Sequence, residues 1–183
     1  MYLSFLNEVK LIQSNDSLKG NCMTNQKFIP RKNEKAAIFE EYMKKNDLNF
    51  FRRRDVHDGM DTVAFITAIP AQGNHRLVAA VLTNNSMYTL LRIHLGLAPT
   101  GPARDPFLAF IGRLNAEQSV FKYIVEDDNN AFLDFCITTR PDRLDSDVIR
   151  TTLNLMIYQM ENGYLDIARR LAKPGDETDG FEL

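Results

Sequence analysis

Thr62-Val63-Ala64-Phe65-Ile66-Thr67-Ala68-Ile69-Pro70, followed by Arg76-Leu77-Val78-Ala79-Ala80-Val81-Leu82-Thr83, is the stretch that decides the fold. Both segments have strand length and read as successive strands. Pro70 is expected to end the first ladder by removing a donor. Residues 71–74 turn the chain, and Asn84-Asn85 turn it again into a strand at 87–95. Upstream, the period becomes two from Phe50. Phe51, Arg53, Asp55 and His57 fall on one side, and Arg52, Arg54 and Val56 on the other. Asp58-Gly59 predicts the connecting hairpin, because glycine accepts positive φ without steric cost. The result is a four-strand antiparallel meander.

An antiparallel sheet with one wet face alternates apolar and polar residues. These strands do not. Leu77, Ala79 and Val81 oppose Val78, Ala80 and Leu82; Val63, Phe65 and Ile69 oppose Ala64, Ile66 and Ala68. Farther on, Phe121, Tyr123 and Val125 oppose Val120 and Ile124, with Lys122 the charged member. Both faces of the sheet therefore need cover.

The helices around this sheet are limited. Asn33 caps a first helix whose stripe is Ala36, Phe39, Tyr42 and Met43, and Lys44-Lys45 suit its negative pole. Pro99, Gly101 and Pro102 mark 96–104 as a loop, and Asp105-Pro106 predicts a helix start carrying Phe107, Phe110, Ile111 and Leu114. Strands at 120–125 and 132–138 follow, joined at 127–130. Asp145 or Ser146 caps a long last helix, with Val148, Ile149, Leu153, Met156, Tyr158, Met160, Ile167 and Leu171 as its expected core and a break at Asn162-Gly163. The order is α–ββββ–α–ββ–α, an α+β domain on one antiparallel sheet. Helices of about 14, 14 and 25 residues reach roughly 20 and 38 Å, which covers one face of six strands and hardly both.

Composition narrows the function. The chain has 183 residues, 22 Lys+Arg against 24 Asp+Glu and a net charge of −2. That balance argues against nucleic acid or an acidic membrane as the main partner. Two cysteines, Cys22 and Cys136, make no disulfide framework, so a reducing, cytoplasmic compartment is expected. The longest apolar run, 77–82, is far below the roughly 20 residues of a spanning helix. Residues 1–32 are expected to be a disordered N-terminal extension. Lys19-Gly20 can be encoded as a ribosome-binding sequence, which makes Met23 a candidate start, with a genuine leader as the other reading. Residues 33–172 form the single domain, and 173–183 read as a disordered acidic tail.

Candidate chemistry is thin. Arg52-Arg53-Arg54 splits across two sides of a strand, which suits protection of an edge better than phosphate contact. Asp55, His57, Asp58 and Asp61 share one hairpin and offer metal ligands, but without a second histidine at ligand spacing. Asp127-Asp128-Asn129-Asn130 lacks the glycine and glutamate of a calcium loop. Cys136 has no sequence signal pairing it with His94. No catalytic, metal or cofactor motif stands out, and none of those sites is assigned.

Phe110-Ile111-Gly112-Arg113-Leu114-Asn115, then Phe121-Lys122-Tyr123-Ile124-Val125-Glu126-Asp127, then Ala131-Phe132-Leu133-Asp134-Phe135 resemble the YbjN domain family. There a helix ending in Leu-Asn leads to a strand, a paired strand and a long C-terminal helix. The resemblance covers about 33–171. It implies a type III secretion chaperone-like fold, a bacterial cytoplasmic setting, a homodimer and a role as a sensory transduction regulator, with no defined enzymatic activity. The loop at 96–104 is longer than the family's usual connection.

The expectation is a non-enzymatic binding or regulatory module without cofactors. It would self-associate or hold another protein through the uncovered sheet face, by strand addition or by a helix in a groove. Leu77, Ala79, Val81, Phe121, Tyr123 and Phe132 are its candidate contacts, on faces the sequence does not distinguish. The alternative is a small-ligand sensor or enzyme with a pocket near 96–104.

Overall fold

The computed structural model describes residues 33–172; the expectations for 1–32, for a start at Met23 and for 173–183 lie outside the described residues. Asn33 starts the fold. Its Oδ1 accepts from the Ala36 N–H at 2.9 Å, capping α1 (Glu34–Lys45). Its Nδ2 donates to the carbonyls of Asp61 and Thr83, tying the helix start to the sheet. The chain then runs through β1 (Arg52–Asp55), β2 (Val63–Ala71), β3 (His75–Thr83), β4 (Tyr88–Leu97), α2 (Arg104–Glu117), β5 (Lys122–Val125), β6 (Asn130–Thr138) and α3 (Ser146–Ala168). The six strands form one antiparallel sheet in the order β1-β2-β3-β4-β6-β5. The α+β class and the element order are those the patterning predicts.

Several local expectations need correction. Pro70 does not end β2, which runs to Ala71 opposite His75. β1 pairs only as far as Ile66, so this length of β2 is an edge where a missing N–H is tolerated. The β1–β2 connection is not a tight turn on Gly59. Asp58 Oδ1 instead accepts from the Met60 and Thr62 N–H groups, and Asp61 takes the positive φ. A 3₁₀ turn at Gly101–Ala103 leads into α2 one residue before Asp105, which lies in the first helical turn without capping it. Gly163 causes no break: α3 is continuous from Ser146, with Asp145 as its cap.

All three helices pack on one face of the sheet. Phe39 of α1, Phe107 and Ile111 of α2, and Ile149, Met156 and Met160 of α3 share a buried cluster with Phe65, Val81, Leu91, Ile93 and Leu133 of the strands. On α3, Val148 and Tyr158 depart from the expected core and point to solvent, while Tyr164 turns inward. Tyr164 satisfies its hydroxyl by donating to the Leu95 carbonyl at 2.8 Å. Gly96, at a bulge in β4 with φ +137°, lies under Leu171 just beyond α3.

Candidate functional site: the second face of the sheet

Strand alternation sends every other residue to the face opposite the helices. Val56, Ala64, Ala80, Leu82 and Phe132 form a second apolar cluster there, with Ile66, Val78 and Leu90 packed against it. Among the described residues, no helix contributes to this cluster. The register arranges the face in three rows across the strands. One runs Arg54, Ala64, Leu82, Leu90, Cys136; the next Arg52, Ile66, Ala80, Arg92, Asp134, Lys122; the third Ala68, Val78, His94, Phe132, Ile124. The β2–β3 half is therefore apolar with an alanine floor, and the β4–β6 half is polar.

The polar half is a closed network. Arg92 donates through Nε to Asp134 Oδ1 at 2.9 Å and through Nη2 to Oδ2 at 2.7 Å. Its Nη1 reaches Glu126 Oε1 at 2.6 Å, and its guanidinium lies 4.2 Å from the centre of the Phe132 ring. Burial opposes the charge on Arg92, but the hydrogen bonds and charges of Asp134 and Glu126 outweigh it and hold the guanidinium above its usual value. Burial pushes the Asp134 carboxyl up against the pull of Arg92. The two-point pair from Arg92 works against that burial. His94 contacts Asn130 Oδ1 at 2.8 Å, and burial holds its imidazole below the usual value, hence neutral at pH 7. These side chains are engaged with one another, and the arrangement is suited to fixing orientation rather than moving protons.

The predicted contacts divide unequally. Leu77, Ala79, Val81, Phe121 and Tyr123 belong to the helix-covered cluster, and only Phe132 lies on the second face. Packing under the helices makes the first five core residues of the single chain. Among the residues that take their place, Val78 sits between Leu77 and Ala79 in the same alternation, and Ile66 and Leu90 lie on the neighbouring strands of the second face. Which parity faces the helices is decided by tertiary packing.

Other candidates also find their places. Arg53 turns to the helix side, where it bonds Glu40 and Asp55, while Arg52 and Arg54 take the second face. Cys136 pairs with Leu90 and His94 with Phe132, so four strand positions, about 13 Å, separate the thiol from the imidazole. Burial raises the Cys136 thiol, with Lys35 pulling weakly the other way. Asp55, His57, Asp58 and Asp61 line a cavity of about 550 Å³ with Arg53. Arg53 holds Asp55, the turn uses Asp58 Oδ1, and Asn85 donates to Asp61 Oδ2. Among the described residues, no three His, Cys, Asp or Glu side chains converge to hold a metal ion. Two further cavities lie between α1 and the start of α3, and between Phe50 and the middle of α3. None of these three takes a residue from 96–104. No described helix is long and apolar enough to cross a membrane.

A buried ammonium escaped the sequence pattern, as the Arg92–Asp134 pair did. Lys35 is 0% exposed, and its ammonium donates to the Tyr88 carbonyl. Burial lowers its pKa to about 8. A lysine in the first turn of an amphipathic helix reads as solvated, so sequence periodicity carried no signal for it.

No family model matches the chain, and no curated protein matches it. Among solved structures, the chain is similar to one from the heterodimeric ExoU-SpcU complex of the type III secretion system of Pseudomonas aeruginosa. The TM-score is 0.37 at 17% identity, covering 67% of this chain and 84% of that one.

Proposed function

We propose that this chain is a non-enzymatic protein-binding module of chaperone-like type, whose second sheet face holds an amphipathic helical segment of another protein. The observation that carries the reading is the second apolar cluster, built without any of the three helices. Ala64, Ala68 and Ala80 make a low floor over which a helix backbone can approach closely, with Ile66, Val78, Leu82 and Leu90 beside it. The internally paired Arg92 and Asp134 offer an orienting polar margin on one side. Strand addition is the weaker mode. Both edge strands are four residues long, β1 is Arg-Arg-Arg-Asp, and β5 begins with Lys122.

Membership of the YbjN family, a bacterial cytoplasmic setting and a regulatory role belong to the same proposal and rest on the resemblance in 110–115, 121–127 and 131–135. A photo-crosslinking amino acid at Val78 of the full chain, in the native host, tests the binding mode. It captures a polypeptide that a crosslinker at Leu108, on α2, does not, and Ile66→Asp abolishes the capture. No adduct at Val78, the same adduct at both sites, or capture indifferent to Ile66→Asp overturns it.

A further inference from the structure

Among the described residues, no helix lies over the second sheet face, yet the face is buried. Ala64, Ala80 and Phe132 are each 1% exposed and Leu82 is 7% exposed, although every member of their cluster comes from the strands or their margin. Arg92 lies against one side of the Phe132 ring. Side chains standing on a sheet shield one another sideways, but their ends face whatever lies above them. The floor also has a definite shape. Ala64 opposes Leu82 and Ile66 opposes Ala80, so two alanines take one diagonal of a square and two large residues take the other. That leaves a depression about one side chain wide.

The chain that precedes Asn33 enters the fold beside this depression. Asn33 is tied to the Asp61 and Thr83 carbonyls, at the end of β3 next to Leu82. A cavity of about 550 Å³ is lined by both Asn33 and Val56, and so links the start of α1 to the second cluster. Its acidic wall keeps negative charge. Arg53 holds Asp55, whereas Asp58 Oδ2 is buried with no hydrogen-bond partner among the described residues, and Asp61 accepts from the neutral Asn85 amide. Just upstream of Asn33 stands Lys27-Phe28-Ile29-Pro30-Arg31-Lys32, which follows Met23 and belongs to the chain with either candidate start.

We propose that residues 27–32 fold back over the second sheet face of their own chain, with Arg31 and Lys32 in the acidic passage and Phe28 on the alanine floor, and that a partner must displace them. Pro30 keeps Ile29 extended, which sets Phe28 and Pro30 on the same side of the arm. Phe28 is five residues from Asn33, a reach of up to about 17 Å. Ala80 lies three strand positions, about 10 Å, from Thr83. The arm is therefore long enough to round the end of the sheet. Ion pairs near a surface are worth little each, so the ring supplies the hold and the charges set the path. A tether this short presents Phe28 at an effective concentration of about millimolar, and the arm fills the floor until a tighter segment removes it. The displacement rests on the reading of this face as a binding surface; the contact within the single chain does not.

A photo-crosslinking amino acid at Val78 of the purified full chain tests the contact, with isotope-labelled chain mixed in to show which copy is joined. Peptide mapping finds Val78 linked to residues 27–32 of the same chain, and a crosslinker at Leu108 gives no such link. Phe28→Asp lowers the yield at least about tenfold with an unchanged circular dichroism spectrum, and Arg31→Glu/Lys32→Glu lowers it less. In the native host, Phe28→Asp raises capture of other polypeptides at Val78 at least about threefold, because the competing arm is gone. No link within the single chain, a link to a second copy, or a link indifferent to Phe28→Asp overturns the arm. Host capture that Phe28→Asp leaves unchanged or lowers overturns the displacement. A single-chain link with no host capture from either protein overturns the partner reading of the face instead, and makes the arm its permanent cover.

Discussion

Both faces of the one sheet are apolar, yet they follow different rules. The helix-covered face is filled with large side chains, among them Phe65, Leu91, Ile93 and Leu133, locked between the strands and three helices. The opposite face has alanines where bulk would be expected and sets an ion pair among its hydrophobic residues. A finished core gains most from volume, because dispersion and transfer terms grow with atoms buried. A surface that must accept something else gains from a low floor and a fixed polar marker. The contrast therefore predicts that truncation is most costly on the first face, and that charge is the sensitive variable on the second.

The largest effect is expected from Phe65→Ala. Its ring is fully buried against Phe39, so the loss is about 4 kcal/mol, read by urea denaturation. A loss below about 1 kcal/mol would mean that the helix-covered face is loosely packed. Next is Arg92→Met, which leaves Asp134 buried without its partner and costs about 3 kcal/mol. Arg92→Met/Asp134→Leu recovers most of that stability in the same assay but loses capture at Val78. If the double variant still captures, the ion pair orients nothing.

Lys35 gives a pH test of the first face. Below about 8 the ammonium is charged whether folded or unfolded, and the cost of burying it is constant. Between about 8 and 10.5 the folded chain has released the proton while the unfolded chain still holds it. Stability relative to Lys35→Met therefore rises with pH across that window, by up to about 3 kcal/mol. Parallel pH profiles for the two proteins would place the ammonium in water. A smaller effect, about 1 kcal/mol or somewhat more, is expected for Gly96→Ala, because φ of +137° is unfavourable with a side chain and Leu171 must give way. Thermal melting measures it. Least of all, Ile66→Asp on the half-buried second face changes the melting midpoint little while removing partner capture.

How much could be read in advance depended on how local the cause was. The Asn33 and Asp145 caps were legible because a capping side chain and its target N–H are within three residues. The meander was legible because its turns are sequential. The contacts Leu77, Ala79, Val81, Phe121 and Tyr123 were set on a surface that packing gives to the core, since alternation fixes relative sides and not which side the helices take. Val148 and Tyr158, expected in the core of the last helix, point to solvent for a related reason: an apolar residue on a helix does not by itself declare that it is buried. Lys35 left no trace at all, because a buried ammonium is specified by the distant Tyr88 carbonyl.

The sequence by itself determined the elements, their order and the need to cover two apolar sheet faces, all of which follow from periodicity and turn chemistry along the chain. Tertiary structure alone decided that the three helices share one face, that β6 inserts between β4 and β5, and that Arg92 meets Asp134 across that junction. Those facts join residues far apart in sequence. Register and packing select them by complementarity of whole surfaces, which no local window of residues contains.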